Sequence, residues 1–294
     1  MFRRVSINYH RERIITEDND FLDLDWVTQG NENLVIICHG LEGSSKRAYI
    51  KGVAKYFMLK NWSALAWNFR GCSEEMNRNI RFYHSGATED LETVIRHVNL
   101  NHQFDKIYLL GFSLGGNLIL KYLGEQSGNL PANIVKGLAF SVPLDLHTSC
   151  LKISRGVNRI YGDRFLRKLK HKVRQKADRF PGSFDLKKLS STKNLIDFDD
   201  HFTAPIHGFK DALDYYQTCS ALRVLPSISK PVLIVNALND PFLSETCYPT
   251  RIHQDNPLVE ILMPEQGGHC GFADGDFDSG YWSEVLAWNY LSRK

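Results

Sequence analysis

Ser113 lies at the centre of a Gly-Phe-Ser-Leu-Gly pentapeptide, residues 111–115, whose context predicts chemistry. Residues 106–110 form a short apolar run before it, and residues 116–123 carry apolar side chains at helical spacing after it. A strand, a G-x-S-x-G turn and a helix make a nucleophile elbow, in which the turn is too tight for bulky residues and the serine hydroxyl is pushed into the open. The pattern therefore predicts that Ser113 is a nucleophile.

A serine hydroxyl barely ionises at neutral pH, so it needs a base and a third group that orients the base. In folds that contain this elbow, the chain order is nucleophile, acid and histidine. Asp240 follows the apolar segment 232–237, and His269 lies in a glycine-rich loop after the last predicted strand, residues 258–263. We therefore predict that Ser113, Asp240 and His269 form a catalytic triad.

Two other residues compete for these roles. Asp145 follows the predicted strand 134–140 and is an alternative acid, although position and the Asn-Asp-Pro context favour Asp240. The structural alternative for Asp240 is a turn aspartate that bonds its local backbone. Cys270 is a thiol next to His269, but no helix or elbow surrounds it, and we interpret it as a bystander.

Two backbone amides are predicted to stabilise the negative oxygen of a tetrahedral intermediate. One belongs to Leu114, which follows the nucleophile at a helix N-terminus, and the other belongs to Leu41, which follows the first long apolar strand. Gly40 and Gly43 lie on either side of Leu41 and allow the backbone to turn its amide inward. The main chain makes both contacts, so the side chains at these positions matter little for this role.

Apolar segments typical of strands alternate with segments of helical periodicity along most of the chain. This alternation predicts an α/β fold with a mostly parallel sheet covered by helices on both faces, preceded by an antiparallel hairpin at residues 11–26. Between residues 146 and 203 apolar residues recur at helical spacing alone. We therefore divide the chain into a first core part (residues 1–145), a helical basic cap insertion (146–203) over the carboxyl edge of the sheet, and a second core part (204–294).

The positive charge of the chain is concentrated in the predicted cap. The whole chain of 294 residues carries a formal net charge of +3, whereas residues 151–193 contain 14 Lys or Arg and three acids, a net charge of +11. A solvated helical face is the plainest interpretation. Attraction of an anionic substrate, of an anionic lipid surface or of nucleic acid is the alternative. We expect no nucleic-acid partner, because no recognisable motif for reading bases is present.

The composition indicates a soluble globular protein, with 43% hydrophobic and 23% charged residues. Six cysteines are scattered without a Cys-x-x-Cys pair, which is typical of reduced thiols in the cytoplasm and predicts neither disulfides nor a zinc site. No secretory signal is visible, and no apolar run approaches the ~20 residues of a membrane span. We expect a cytoplasmic protein without a transmembrane segment, a cofactor or a bound metal.

The sequence resembles the α/β-hydrolases, and in particular their YheT-like subfamily, which also includes yeast medium-chain acyl ester synthase/esterases. The resemblance extends over nearly the whole chain and is carried by residues 20–26, 39–44, 68–73, 83–86, 111–117, 239–242 and 267–269. It implies an α/β-hydrolase fold with a helical cap and a triad of Ser113, Asp240 and His269. It also implies esterase or lipase activity on acyl esters of short to medium chain length.

The resemblance gives weight to Arg70 and His84, for which residue chemistry alone provides no role. Arg70 is alternatively a brace for the loop after the predicted strand at residues 63–67. The family has an aspartate before the triad acid where this chain has Asn239, a difference that we interpret as harmless. Phe165 and Leu166 of the predicted cap are candidates for lining an acyl pocket.

These observations predict a serine hydrolase that cleaves short- to medium-chain carboxylic esters through an acyl-enzyme. Ser113 argues against dehalogenase and epoxide hydrolase chemistry, since those reactions use a carboxylate nucleophile on this fold. Two alternatives stay open. One is transfer of the acyl group to an alcohol through the same intermediate, and the other is a non-catalytic binding module on the same fold.

Overall fold

The computed structural model describes residues 3–30, 32–273 and 280–293. The strands in these ranges are β1 (His10–Ile15), β2 (Phe21–Val27), β3 (Asn33–Cys38), β4 (Ser63–Asn68), β5 (Lys106–Phe112), β6 (Ile134–Phe140), β7 (Val232–Val235) and β8 (Val259–Leu262). They form one sheet in the order β1-β2-β4-β3-β5-β6-β7-β8. β2 is antiparallel to both neighbours, which confirms the predicted hairpin, and β3 to β8 run parallel to one another.

Helices cover both faces of this sheet. Alternate side chains of a strand point to opposite faces, so an entirely apolar strand such as β3 needs cover on both sides. The α-helices of the described ranges are α1 (Ala48–Leu59), α2 (Thr88–Asn101), α3 (Leu114–Glu125), α4 (Leu146–Ile153), α5 (Arg159–Arg179), α6 (Leu186–Ser191), α7 (Leu195–Phe198), α8 (Ala204–His207), α9 (Ala212–Cys219), α10 (Ile252–Asp255) and α11 (Trp282–Leu291). Leu34 and Ile36 of β3 pack in one core with α2 and α3, whereas Val35 and Ile37 pack in the other with α1 and α11.

The carboxyl ends of the parallel strands carry the loops that contain the predicted site residues. Ser113 directly follows β5, and Leu41 follows β3 by three residues. Asp240 and His269 lie in the loops after β7 and β8, although β7 ends at Val235, two residues earlier than predicted. Since the carboxyl ends of parallel strands share one edge of the sheet, residues far apart in the chain meet there.

Residues 146–203, here called the cap segment, contain helices α4 to α7 and, within the described chain, no strand. Helix α7 continues into a π-helical turn, Asp199–Thr203, and then into α8. The cap segment forms an apolar cluster that includes Leu166, Val173 and Phe198 and also takes in Phe82 and Phe242 of the core. The predicted helical character is therefore observed, while the treatment of these residues as a separate domain stays a prediction. No helix in the described part of the chain has both the length and the apolar composition needed to cross a membrane.

Helix α5 presents its positive charges in two directions. Arg174 is exposed, as expected for a solvated face. Lys176, by contrast, is fully buried and donates a hydrogen bond of 2.8 Å to the carbonyl oxygen of Asn77. Lys172 lies with its Nζ 2.7 Å from Oε1 of Glu42. The interpretation of the basic segment as a solvated face is therefore wrong for these lysines, because oxygen atoms of core loops accept their hydrogen bonds.

Candidate active site

Ser113 occupies the tight turn between β5 and α3, as the strand, turn and helix pattern predicts. Its backbone has φ 54° and ψ −121°, a strained conformation that fits a nucleophile elbow. A Cβ atom on Gly111 would lie 2.3 Å from the carbonyl oxygen of Gly115, and one on Gly115 would lie 2.5 Å from the carbonyl oxygen of Cys38. Both glycines are therefore required by close backbone contacts on either side of the serine.

His269 joins Ser113 and Asp240 through hydrogen bonds. Its Nε2 lies 2.9 Å from Oγ of Ser113, and its Nδ1 lies 2.9 Å from Oδ2 of Asp240. Asp240 is 1% exposed and also accepts a hydrogen bond of 2.9 Å from the N–H of Phe242. An Nδ1–H that donates to the carboxylate leaves Nε2 free to accept the serine proton. The structure thus brings the three predicted side chains together in the arrangement that base-assisted attack requires.

The surroundings of His269 favour positive charge on its ring. Burial lowers the pKa of His269, whereas Cys270 and the carboxylate of Asp240 raise it, and the net direction is upward. Stabilisation of the imidazolium is what removal of the serine proton requires. The same effect means that the neutral, basic form of His269 gains population at a higher pH than in an isolated histidine.

Asp145, the competing acid, has a different set of partners. Its carboxylate accepts a hydrogen bond of 3.2 Å from the N–H of Thr148 and so caps α4. It also accepts a hydrogen bond of 3.1 Å from Oγ1 of Thr246. The imidazole of His269 bonds Asp240 and not Asp145. Among the two candidates, the geometry therefore supports Asp240.

Leu41 and Leu114 both line the cavity beside Ser113. Leu114 is the first residue of α3, so its N–H has no partner within the helix. Neither amide donates a hydrogen bond to another residue in the described ranges. Their role as oxyanion donors stays a prediction, and it is consistent with two backbone N–H groups that have no hydrogen-bond acceptor among the described residues.

The loop that carries Leu41 is held by buried contacts of the next residue, Glu42. The N–H of Glu42 donates to the hydroxyl of Tyr83 at 2.8 Å, and the same hydroxyl donates to Oε1 of Glu42 at 2.8 Å. Nζ of Lys172 donates to Oε1 as well, at 2.7 Å. No pattern in the sequence points to this contact, because Lys172 belongs to α5 and lies 130 residues further along the chain.

The cavity beside the triad has a volume of about 120 Å³ and a mostly apolar wall. Phe165 and Leu169 of α5 line it, and the ring of Phe242 lies 4.1 Å from the ring of His269. Of the two candidates for an acyl pocket, Phe165 lines the cavity, whereas Leu166 packs in the apolar cluster of the cap segment. A hydrocarbon chain suits such a lining because both surfaces leave water on contact.

Arg70 acts as a brace beneath the loops and is not part of the cavity wall. Its guanidinium lies 2.7 Å from a carboxylate oxygen of Asp90, 2.9 Å from Asp18 and 3.0 Å from Asp20. These contacts connect the loop after β4 to α2 and to the turn of the β1–β2 hairpin. Arg70 therefore fits the bracing role that was the alternative in the sequence analysis.

His84 and Asn239, which the resemblance also singled out, both lie near the site. His84 lines the cavity, and burial lowers its pKa to about 3, so its ring is neutral. Oδ1 of Asn239 accepts a hydrogen bond of 2.8 Å from the N–H of Gly268, next to His269. An aspartate would accept the same bond, so this contact supports the interpretation of Asn239 as harmless, which stays a prediction.

A cluster of possible metal ligands lies outside the cavity. Glu12, His97 and His102 place one ligand-type atom each within 4.8 Å of one another. Oε1 of Glu12 already lies 2.7 Å from Nε2 of His97, and Oε2 accepts a hydrogen bond of 2.8 Å from Nε1 of Trp26. Hydrogen bonds therefore engage both carboxylate oxygens of Glu12, whereas Nε2 of His102 lies 3.6 Å from Oε2 and has no hydrogen-bond partner among the described residues.

Comparison with known proteins identifies related sequences. The family model for the alpha/beta hydrolase fold matches residues 33–276. YheT of Escherichia coli (strain K12), to which its name assigns esterase activity provisionally, is 35% identical over 94% of this chain and 82% of its own length. Phospholipase ABHD3 of Mus musculus is 29% identical over 92% of this chain and 67% of its own length. The monoacylglycerol lipase of Saccharomyces cerevisiae is 28% identical over 86% of this chain, which spans 58% of the yeast protein.

Solved structures with the same fold include an esterase. Esterase Pf2001 of Pyrococcus furiosus superimposes with a TM-score of 0.64 and 18% identity, over 97% of this chain and 92% of its own. Est1E of Butyrivibrio proteoclasticus, solved with ferulic acid bound, gives a TM-score of 0.58 and 14% identity over 94% and 96% of the two chains. At such identities the structural likeness shows the fold alone. Together with the sequence relatives, it confirms the predicted fold and the assignment to the hydrolases, and the chain therefore belongs to the alpha/beta hydrolase fold family.

Proposed function

We propose that this protein is a serine esterase that cleaves short- to medium-chain acyl esters through an acyl-enzyme. The observation that carries the proposal is the contact of His269 with both the Ser113 hydroxyl and the Asp240 carboxylate, beside an apolar cavity. The names of the relatives support an ester substrate, since they include a phospholipase and a monoacylglycerol lipase.

In the proposed reaction, Nε2 of His269 takes the proton of the Ser113 hydroxyl while Oγ attacks the ester carbonyl carbon. The carbonyl oxygen becomes negative and is stabilised by the amides of Leu41 and Leu114. The protonated His269 then gives its proton to the leaving alcohol, and the acyl group stays on Ser113. A water molecule repeats the two steps, which releases the carboxylic acid and restores the serine. Asp240 keeps the proton of the neutral ring on Nδ1 throughout.

The test is a series of p-nitrophenyl esters from acetate to laurate, hydrolysed by the unchanged protein and by Ser113→Ala. Loss of the nucleophile should reduce kcat on the order of 10⁶-fold. Labelling with a fluorophosphonate probe should disappear in the same variant. Retention of hydrolysis and labelling in Ser113→Ala would end the proposal.

Ser149→Ala is a matched control for this experiment. Ser149 lines the same cavity, but its hydroxyl lies 3.3 Å from Sγ of Cys247 and does not bond the imidazole of His269. Hydrolysis and labelling should therefore persist. Adding ethanol to the assay and analysing the products measures acyl transfer, because an ethyl ester forms only if the acyl-enzyme reacts with the alcohol in place of water.

The exposed arginines of α5 support the alternative interpretation of the basic segment, which is attraction to an anionic lipid surface. Basic residues near such a surface contribute about 1 kcal/mol each at low salt. Cosedimentation with phosphatidylserine vesicles should therefore weaken as salt is added. Vesicles of phosphatidylcholine alone are the control, and equal binding to both would contradict an electrostatic contact.

A further inference from the structure

Asp199 is a half-buried acid on the wall of the cavity that contains Ser113. It is the first residue of the π-helical turn Asp199–Thr203, an irregular element that is frequent at functional sites. Its Oδ1 accepts a hydrogen bond of 2.5 Å from Oγ1 of Thr203, and its Oδ2 accepts one of 2.6 Å from the hydroxyl of Tyr216. The proposed hydrolysis gives this carboxylate no task.

Asp199 differs from the other acids near the cavity because it lacks a basic partner. Asp240 bonds His269, and Glu42 is paired with Lys172. In the described ranges no Lys, Arg or His forms an ion pair with Asp199, and burial raises its pKa to about 6 while its two hydroxyl donors lower it. The group is thus mostly ionised at neutral pH. A carboxylate has about four acceptor positions, so two hydroxyl donors leave it undersatisfied.

Further polar side chains continue the cavity wall from Asp199. The ring of Tyr216 lies 5.1 Å from that of Tyr215, which lies 5.9 Å from His84, which lies 4.5 Å from His207. All four line the cavity. Burial lowers the pKa of both histidines to about 3, so neither supplies positive charge to Asp199. Nε2 of His207 is enclosed and has no hydrogen-bond partner among the described residues.

The cavity wall is therefore chemically divided. Phe165, Leu169 and Phe242 form an apolar surface near His269, whereas Asp199 and its polar neighbours form a second surface with unused hydrogen-bonding capacity. A plain hydrocarbon chain that displaces water from this surface would leave that capacity unfilled, which costs free energy. A substrate with a polar group on its chain would fill it.

We infer that the cavity binds esters whose acyl chain carries a hydrogen-bond donor, a hydroxyl or an ammonium group, and that Asp199 accepts this hydrogen bond. The inference rests on the proposed function, since it assigns a substrate class to the same site. Asp199 is a specificity-determining residue in this view and takes no part in bond cleavage. A hydroxyl and an ammonium group both donate a hydrogen bond to a carboxylate, and esters that carry one or the other distinguish them.

The test compares p-nitrophenyl butanoate, hexanoate and octanoate with the same esters bearing a terminal hydroxyl or a terminal dimethylammonium group. At one of these chain lengths, the unchanged protein should hydrolyse a substituted ester with a kcat/KM at least about tenfold above that of the plain ester. A hydrogen bond to a charged group is strong enough to produce a difference of this size. A preference for both substituents indicates recognition of the donor. A preference for dimethylammonium alone indicates that the charge is needed as well.

Asp199→Asn should reduce the ratio of kcat/KM for the substituted esters to kcat/KM for the plain ester, most for the dimethylammonium ester, because an amide oxygen still accepts a hydrogen bond but carries no charge. Asp200→Asn is the matched control, because Asp200 is exposed on the same turn and does not line the cavity. Equal hydrolysis of plain and substituted esters by the unchanged protein at every length overturns the inference, whether or not the variant folds. So does an equal loss on all esters in Asp199→Asn, which would indicate a structural role. In both cases, hydrolysis of plain esters that depends on Ser113 leaves the proposed function standing.

Discussion

The core and the cap segment contribute different kinds of side chain to one cavity. The core supplies Ser113, Asp240 and His269 from loops that follow strands, and each polar atom in that set bonds the next. The cap segment supplies most of an apolar wall and two charged groups, Lys172 and Asp199. Lys172 is paired with an acid of the core, whereas Asp199 bonds hydroxyls alone. In the function that we propose, the core supplies the groups that break the ester bond, and the cap segment shares with core residues such as Tyr216 the wall that selects the ester.

The largest expected effect comes from the acid of the core. Asp240→Asn should lower kcat for ester hydrolysis by about 10⁴-fold, because an amide no longer holds the proton of His269 on Nδ1. The measurement is kcat on a p-nitrophenyl ester, with circular dichroism to establish that the variant is folded. Asp145→Asn should have normal activity, since asparagine caps a helix as well as aspartate does. A loss confined to Asp145→Asn would show that the acid was assigned wrongly.

This difference between core and cap also explains what could be predicted from the sequence. The elbow around Ser113 is a local pattern, and the order of Asp240 and His269 follows from the chain order of the fold. Both patterns can be recognised in the sequence without knowledge of how the helices and strands pack. No comparable pattern in the sequence identifies the hydrogen-bond partners of Lys172 and Asp199. Glu42 lies 130 residues before Lys172, so only the docking of α5 on the core shows that this lysine is not solvated.

A second prediction concerns a charge cluster of the core that does not reach the cavity. Arg70 is 2% exposed and contacts Asp20 and Asp90, which are also buried. Arg70→Met leaves these carboxylates without a cation, so the free energy of unfolding should fall by about 3–5 kcal/mol. Urea denaturation measures this change. The folded fraction should retain its kcat, because none of these groups lines the cavity.

Lys46→Met is the control for the Arg70 experiment. Lys46 pairs with Glu74 at the surface, where both side chains are about half exposed or more. Surface pairs contribute about 0–1 kcal/mol, so this variant should unfold near the urea concentration of the unchanged protein. A comparable loss of stability in both variants would contradict the distinction between a buried brace and a solvated pair.

The third prediction tests whether the cap segment is tied to the core through Lys172. Lys172→Met leaves Glu42 buried beside Leu41 without its cation, so the free energy of unfolding should fall by about 3 kcal/mol. The double variant with Glu42→Gln should recover much of this loss, since the uncompensated charge is then removed. Arg174→Met, on the exposed side of α5, should change little. Additive losses in the double variant would show that the two side chains do not stabilise each other.

The smallest expected effect is a shift in the pH dependence of the core reaction. Esterase activity requires neutral His269, so it should be lost as the pH falls through the pKa of that residue. Cys270 and Asp240 raise this pKa above the usual value of 6.5, and the acid limb of kcat/KM should therefore lie above pH 6.5. Cys270→Ala removes one of the two contributions, so the limb should move to lower pH while the activity at high pH is retained. Cys150→Ala, which changes a thiol in the cap part of the cavity wall, should leave the limb in place. An acid limb that stays fixed in Cys270→Ala would mean that Asp240 alone raises the pKa of His269. An acid limb at or below pH 6.5 in the unchanged protein would contradict the stabilisation of the imidazolium by the core.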